Sequence, residues 1–499
     1  KMRDILDDKI KPILDKLNAP DKFNVKKINL GKGNNIKIAL VYDKDLIDRN
    51  IISDYILKPL MLHVEESFTG KENITEILME KYICVDDTIL KTDTYEITDL
   101  IKKGFTAVFV PNSKNTIIIN TVKKSYKSII PPEIESSIRG PKEAFTESIE
   151  SNLSQINRRI KDKNLRIERF IVGERSQTEV AIIYIEDIAD EKLVNKIKER
   201  VNLIKVDHVK NAGYVEEYIE NNSYTVFPQS FTTERPDVMA VNIMEGRIGI
   251  LMEGSQQGIT VPAIFIEFFQ TVEDYNAKFM LSTVIRFFRV IAVVLVLSLT
   301  SIYLTLVKFN VELLPDKLLQ PIVQSRVGIA LSPIMEIVSM ELIVEFLREG
   351  GLRLPSKIGQ TLSVVGGIII GDAAIKSHLV SSTTLLVVGV STVATFLIPN
   401  YEMSLAIRII KFPILFLTNA LGLMGVSIGW FFIVVELCSL DSMGVPYLQF
   451  KKSDMKDTFI RAPLWKMNKR PKAIPNKNPV RQKDFRKKFR GKHNGKQEE

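Results

Sequence analysis

Phe287–Val307 reads FFRVIAVVLVLSLTSIYLTLV, twenty-one residues in which Arg289 is the only charged side chain. As a helix rising 1.5 Å per residue it covers roughly 31 Å, the thickness of a bilayer's hydrocarbon core. Such a stretch has no place on a soluble surface, so it splits the chain into a polar half before it and an apolar half after it. Whole-chain averages hide this split. Mean hydropathy is near zero, and charged residues make up 25% of the 499, as in an ordinary soluble protein. The length alone calls for two or more cores.

Downstream, the apolar residues fall in long blocks. Residues 322–348 carry Glu336, Glu341 and Glu345 in an otherwise apolar run closed by Arg348. A helix with that pattern either lies at the interface or packs inward against protein or water. Thr361–Gly371 is short and Gly-rich. A polar patch of Asp372, Lys376, Ser377 and His378 follows, then Leu379–Pro399 and Phe412–Leu440. The expected crossings are residues 287–307, 359–376, 380–398 and 413–438, within a transmembrane domain spanning 287–440. Ile259–Gln270 is apolar and aromatic but too short to span, which suits an interfacial helix within a linker of 258–286.

Upstream, the pattern is that of α/β structure. Residues 1–19 carry apolar residues at helical spacing among charges, with no apolar run of signal-peptide type, so 1–22 is expected as an amphipathic helix and not as an export signal. Asn35–Tyr42 fits a buried strand, Asp45–Leu62 a helix capped by Asp43 or Asp45, and Phe105–Val110 with Thr116–Thr121 a hairpin. The same order returns about 140 residues later. Glu179–Ile185 matches the first strand, and Val238–Ile243 with Arg247–Met252 is expected as a hairpin turning at Glu245-Gly246. The fold class is therefore an α/β cytoplasmic region of two similar subdomains, 23–130 and 131–257, followed by an α-helical transmembrane domain.

Charge sets the orientation. Lys451–Glu499 holds 17 Lys/Arg against 5 Asp/Glu, whereas the whole chain is only +9. A basic tail beside the last span is expected on the cytoplasmic side. Four crossings then place the N-terminal half there as well. The 441–499 tail, proline-rich and poor in apolar residues, is expected to be disordered and to meet anionic headgroups; no nucleic-acid module accompanies it.

Little points to covalent chemistry. Cys84 and Cys438 lie in different halves, and the four histidines are scattered, so neither a disulfide framework nor a metal site is expected. Gly31-Lys32-Gly33-Asn34 lacks the spacing and the following helix of a phosphate loop and fits a turn. No catalytic constellation and no cofactor motif stand out.

One run is more specific. Ser137–Glu168, SIRGPKEAFTESIESNLSQINRRIKDKNLRIE, resembles the hallmark segment of the A subunits of GerA-type germinant receptors. Phe227-Pro228-Gln229, Thr233–Asp237 (TERPD), Glu245–Ile250 (EGRIGI), Val261–Gln270 and Arg348–Pro355 (REGGLRLP) continue the likeness over roughly 35–450. The family often has Gln-Ala where Asp372-Ala373 stands here. The resemblance implies the inner membrane of an endospore. It also implies a transporter-like B subunit that binds the nutrient, a lipoprotein C subunit, and oligomerisation of A subunits, with a pentamer as the expected size, around a cation path. A non-conducting scaffold and the similar stage V sporulation AF protein are the rival readings.

Candidate residues follow, each with a plainer alternative. Arg139, Gly140, Pro141 and Glu143 suit a subunit contact, or merely a capped helix start with Glu143 in its first turn. Glu336, Glu341 and Glu345 suit a cation path, or an interfacial helix; 341 and 345 share a face and 336 does not. Asp372, Lys376 and His378 suit a gating patch, or an i,i+4 pair beside a histidine.

Overall fold

The computed structural model describes residues 5–482 except 18–22, 32–35, 45, 67, 69–72, 112, 123–130, 138, 355, 452–453 and 459. The chain divides into two compact units, Lys1–Tyr126 and Lys127–Glu499.

In the first unit α1 (Ile5–Leu17) precedes the antiparallel pair β1 (Phe23–Asn29) and β2 (Lys37–Asp43). Gly31 takes a φ of +62° where the chain leaves β1, as a turn requires, and Lys32–Asn34 lie outside the described residues. Wide π-type turns cover Ile51–Leu57 and Pro59–His63; the expected cap Asp45 also lies outside the described residues. Next come α2 (Ile74–Lys81), β3 (Thr88–Lys91), α3 (Thr94–Lys102) and the expected hairpin of β4 (Phe105–Phe109) and β5 (Thr116–Asn120). The sheet order is β1-β2-β4-β5-β3. Period-2 alternation feeds both faces: Ile38 and Leu40 pack under the 51–64 turns, while Ala39 and Val41 pack under α1 and α3.

The second unit opens with α4 (Ile149–Arg159), β6 (Leu165–Val172), β7 (Thr178–Ile185), α5 (Glu191–Leu203), α6 (Ala212–Ile219) and β8 (Phe231–Thr233). It continues with α7 (Pro236–Met244), β9 (Ile248–Met252) and β10 (Gly258–Val261). The order β6-β7-β9-β10-β8 repeats that of the first sheet, strand for strand. Val180 and Ile182 face α5 and α6; Ala181 and Ile183 face α4 and α7.

Two expectations fail here. Val238–Ile243 is not a strand but the body of α7. Proline at the helix's first turn fixes φ for it, and Met239 and Ile243 pack on the sheet where Gly249 and Gly258 leave room. A run of six that is apolar except for Asn242 is too short for its periodicity to tell the two apart. The hairpin partner of β9 is β10, so Ile259–Val261, expected in an interfacial helix, is a buried strand.

The rest of the 258–286 linker is a 3-10 turn at Phe265–Phe269, the short α8 (Val272–Asn276) and the beginning of α9 (Phe279–Lys308). Phe268 is fully buried against Phe231 and Tyr447. After α9 come α10 (Asp316–Arg326), α11 (Pro333–Leu352), α12 (Ser356–Lys376), α13 (Ser382–Thr395), α14 (Tyr401–Leu421) and α15 (Leu423–Ser439). Helices α9 and α14 are long and apolar enough to cross a membrane, and α13 and α15 are shorter apolar helices.

Side-chain pairs give the directions of these helices. Ser298 meets Trp430, Tyr303 meets Thr383 and Thr384, and Lys308 meets Asn419. Glu341 meets Lys411 and Glu345 meets Arg408, so α11 and α14 are antiparallel. Gly366 faces Leu347 and Gly359 faces Gly351, which makes α11 and α12 antiparallel too. Leaving out α10, successive helices run alternately away from and back toward the sheet.

The block 413–438, expected as one span, breaks at Gly422 into α14 and α15. Gly422 holds a φ of +60°, and Gly425 and Gly429 let α15 fold back onto α14. A Cβ on Gly425 would lie 2.7 Å from Thr418 Cα and closer still to the Leu417 carbonyl. Gly425→Val is therefore expected to destabilise the hairpin by about 1–3 kcal/mol, read as a lower thermal midpoint in detergent. A wild-type midpoint would refute this packing.

The tail is the largest departure. The strands β11 (Asp441–Ser442) and β12 (Val445–Pro446) form a small hairpin, and Tyr447, Met467, Ala473 and Ile474 are buried. The Lys477 amide donates to the Ile188 carbonyl at 2.8 Å, and Asn476 bridges to Ala189. The few apolar residues pack, while the arginines find carbonyls: Arg470 donates to those of Met244, Asn478 and Val480. Residues 452–453, 459 and 483–499 of the tail lie outside the described residues.

Candidate functional site

Charged side chains inside the bundle form a series of pairs, and each carboxylate of α11 has a cation. Glu336 is fully buried; Arg326 lies 3.0 Å from its Oε1, while the Ser381 amide and the Thr384 hydroxyl donate to its Oε2 at 3.0 Å each. Glu341 is bonded to Lys411, both nearly inaccessible. Glu345 lies between Arg408 (3.5 Å) and Arg348 (3.6 Å). Arg348 in turn donates to Thr395 Oγ1 at 2.6 Å and the Thr392 carbonyl at 3.2 Å. Glu341 and Glu345, one turn apart on α11, thus meet Lys411 and Arg408, one turn apart on α14. Burial of these charges is tolerable because each is paired.

Asp372 and Lys376 pair with each other at 2.7 Å with both side chains exposed. His378 follows α12 at a φ of +53°, its carbonyl accepting from the Ala330 amide. Among the described residues no bond joins Asp372, Lys376 or His378 to the α11 carboxylates, although Ser381, three residues past His378, donates its amide to Glu336.

The 139–143 segment is not a helix start. Helix α4 begins six residues later at Ile149, capped by Ser148. Glu143 instead reaches the far end of that helix, 2.7 Å from both Arg158 and Arg159, which hold its carboxyl below the usual range. Gly140 has a φ of +132°, the Asn276 side chain donates to the Arg139 carbonyl at 2.7 Å, and Pro141 offers its carbonyl to Arg235 at 3.1 Å. Arg235, within TERPD, is 1% exposed and organises this whole region. Its fork takes Asp237 at 3.1 and 2.8 Å, with Ser137 Oγ at 2.8 Å and the Glu135 carbonyl at 3.2 Å.

The foot of α9 is a second ionic knot. Asp274, 2% exposed, accepts from Arg286 at 3.0 Å and Arg289 at 2.7 Å. Asp457 from the tail adds a 2.9 Å bridge to Arg286 and accepts from Tyr275 Oη at 2.9 Å; burial raises its carboxyl despite Arg286. Arg289, conspicuous in the sequence as the one charge of an apolar run, is explained by this partner. Nearby, Arg247 bonds Glu267, whose carboxyl burial pushes up to about 7. Among the described residues no three His, Cys, Asp or Glu side chains are arranged to hold a metal ion.

Sequence reasoning missed Arg326, Arg408, Lys411 and Arg235. A signal existed for two of them: Arg408 and Lys411 stand a turn apart in the apolar run Leu405–Leu417, and cations so placed require buried partners.

The comparisons with known proteins show the family. The sequence model of the Bacillus/Clostridium GerA spore germination proteins matches residues 10–473. The chain belongs to the GerA family. Spore germination protein KA of Bacillus subtilis is 34% identical over 462 residues, 92% of this chain and 84% of its own. Spore germination protein A1 of the same organism is 33% identical over 482 residues, 96% and 97% of the two chains. GerLA of Bacillus cereus is 31% identical over 474 residues, 94% and 95%. A crystal structure of the N-terminal domain of the A subunit of the Bacillus megaterium germinant receptor GerK3 is 28% identical, covering 52% of this chain and 96% of that one, with a TM-score of 0.22. Within this GerA-family chain, Arg235 holds the Pro141 carbonyl of the Arg139–Glu143 run, Glu341 and Glu345 are held by α14, and Glu336 is held by Arg326, Ser381 and Thr384.

Proposed function

We propose that the chain is the A subunit of a nutrient receptor in the inner spore membrane, and that copies of it assemble, as a pentamer, around a cation path that opens during germination. The observation that carries this reading is the series of charged pairs from Arg326–Glu336 to Glu345–Arg348 inside an apolar bundle. Charged groups in such surroundings are costly, and their retention fits an ion route or its gate. Glu336, Glu341 and Glu345 are the path candidates, with Asp372, Lys376 and His378 as a gating patch at the end far from the sheet. Arg139, Gly140, Pro141 and Glu143 are the candidate subunit contact. The partners are a transporter-like B subunit and a lipoprotein C subunit, and the basic tail meets anionic lipid. The alternation that begins with α9 and ends with α15 returns the chain to its starting side, which supports placing the two flanks of the bundle on one side; the basic tail makes that side the cytoplasmic one. We assign no catalysis; the relatives described above are named as spore germination proteins.

The internal pairing of all three carboxylates favours a second reading, a non-conducting scaffold that relays the signal, or the stage V sporulation AF-type role. Flux through the purified, reconstituted chain under potassium and chloride gradients separates the readings. The channel reading expects cation-selective flux that falls about tenfold or more in Glu345→Gln, because removing one charge beside an ion path acts on every passing ion. Oligomers with no flux above that of empty vesicles would leave the scaffold.

A further inference from the structure

A second group of carboxylates lies where the sheet of the second unit meets α14, and the bundle pairs do not account for it. Glu216 lies on α6 and Glu220 is the residue that ends it, Glu402 is in the first turn of α14, and Glu135 comes from the segment held by Arg235. Glu216 accepts from the Ser230 hydroxyl and, at 3.3 Å, from Thr232 Oγ1. The same Thr232 hydroxyl reaches toward Glu402. A threonine has one proton to give, so two ionised carboxylates cannot both be satisfied by it. Glu220 accepts from the Gln229 amide at 3.2 Å.

Two buried atoms here have no hydrogen-bond partner among the described residues: Glu402 Oε2, an acceptor without a donor, and Tyr447 Oη. Tyr447 is 1% exposed, and its hydroxyl feels the charges of Glu220 and Glu402. An ionised carboxylate oxygen left in that condition is costly. A proton on Glu402 removes the charge that makes this condition costly.

The other titratable and charged groups facing the set come from each element around it. Glu217 lies on α6, Glu234 and Arg235 lie in the turn after β8, and Glu267 lies in the 3-10 turn. Arg235 is the cation among them and is already committed to Asp237. With no three carboxylates placed to hold a metal ion among the described residues, the occupant that fits is a proton.

We propose that Glu216, Glu220 and Glu402 form a proton-operated latch that holds α14 to the second sheet and loosens as the surrounding pH rises. Whether or not the bundle conducts ions, the latch joins the element that carries Arg408 and Lys411 to the α/β half. Burial, with Glu216 nearby, pushes the Glu220 carboxyl up to about 7 from its ordinary 4.5, and burial pushes Glu135 up to about 7 as well. Carboxyls raised in the closed state take up protons on closing. The latch is therefore unpenalised below pH 4.5, and its penalty is complete once pH has risen through about 7.

Hydrogen exchange of the full chain in detergent micelles tests this, with amide protection over residues 213–221 and 402–408 corrected for the intrinsic rate. Protection is expected to fall about tenfold or more between about pH 6 and about pH 8.5 in the wild type, and to fall several-fold less in Glu402→Gln, where Glu220 still titrates. Glu216→Gln provides the same reading should the first variant misfold. A flat wild-type profile overturns the latch, and so does a fall of equal size in either folded variant. Protection restored by sodium, potassium or calcium at about pH 8.5 would overturn the proton as occupant.

Discussion

Lys411→Met should destabilise the helical bundle by about 3–5 kcal/mol, whereas Glu341→Leu combined with Lys411→Met should recover most of that loss. The two side chains are 1% and 3% exposed, and Lys411 Nζ donates to Glu341 Oε2. Removing the ammonium strands a carboxylate whose other oxygen, Oε1, has no hydrogen-bond partner among the described residues. Buried at 1% exposure, it must either stay charged without compensation or take up a proton. Removing both partners leaves apolar side chains of similar volume, and Met340 and Ile407 already line the neighbouring positions. Thermal unfolding of the three variants in one detergent measures the cycle. A Lys411→Met midpoint equal to wild type would show that the pair is not formed. A double variant as unstable as the single would show that the site needs the charge itself, as the ion-path reading requires.

That pair marks where the sequence stops being legible. Glu341 stood out by its own apolar surroundings, and so could Lys411 have done. Their meeting across seventy positions depends on how α11 and α14 lie, which no local spacing encodes. Elements set by composition or by a short alternation were legible: the apolar run of α9, the buried strands β2 and β7, the hairpin of β4 and β5. Val238–Ile243 was not, because its six residues satisfy a buried strand and a buried helix equally, and the choice came from Gly249 and Gly258 lying beneath it. Gly422 was likewise ambiguous in sequence, since a lone glycine sits comfortably in a membrane helix; its φ of +60° makes it a turn here. The tail misled because many prolines and few apolar residues read as disorder, yet its few apolar residues pack and Arg470, Arg481 and Asp457 make contacts to carbonyls, carboxylates and Arg286 elsewhere in the fold.

Arg235 lends itself to a test in which charge and geometry come apart. Arg235→Met should cost about 3–5 kcal/mol, since Asp237 loses its partner and Ser137, with the Glu135 and Pro141 carbonyls, loses its donor. Arg235→Lys keeps the positive charge but offers one compact ammonium where a planar fork now spans Asp237 on one edge and the 135–141 backbone on the other. If the residue matters as a charge, lysine should rescue it. If it matters as a bracket, lysine should lose nearly as much, about 2–4 kcal/mol, and the 131–147 segment should become open to protease before the sheet unfolds. The second outcome is expected, because three of the groups it holds are neutral oxygens whose positions a point charge cannot fix. Limited proteolysis alongside thermal unfolding reads both quantities on one sample. Wild-type resistance in Arg235→Lys would reduce Arg235 to a counter-ion for Asp237. It would also remove the physical reason for the Arg139–Glu143 run to keep one conformation, and with it the basis for treating that run as a preformed contact surface.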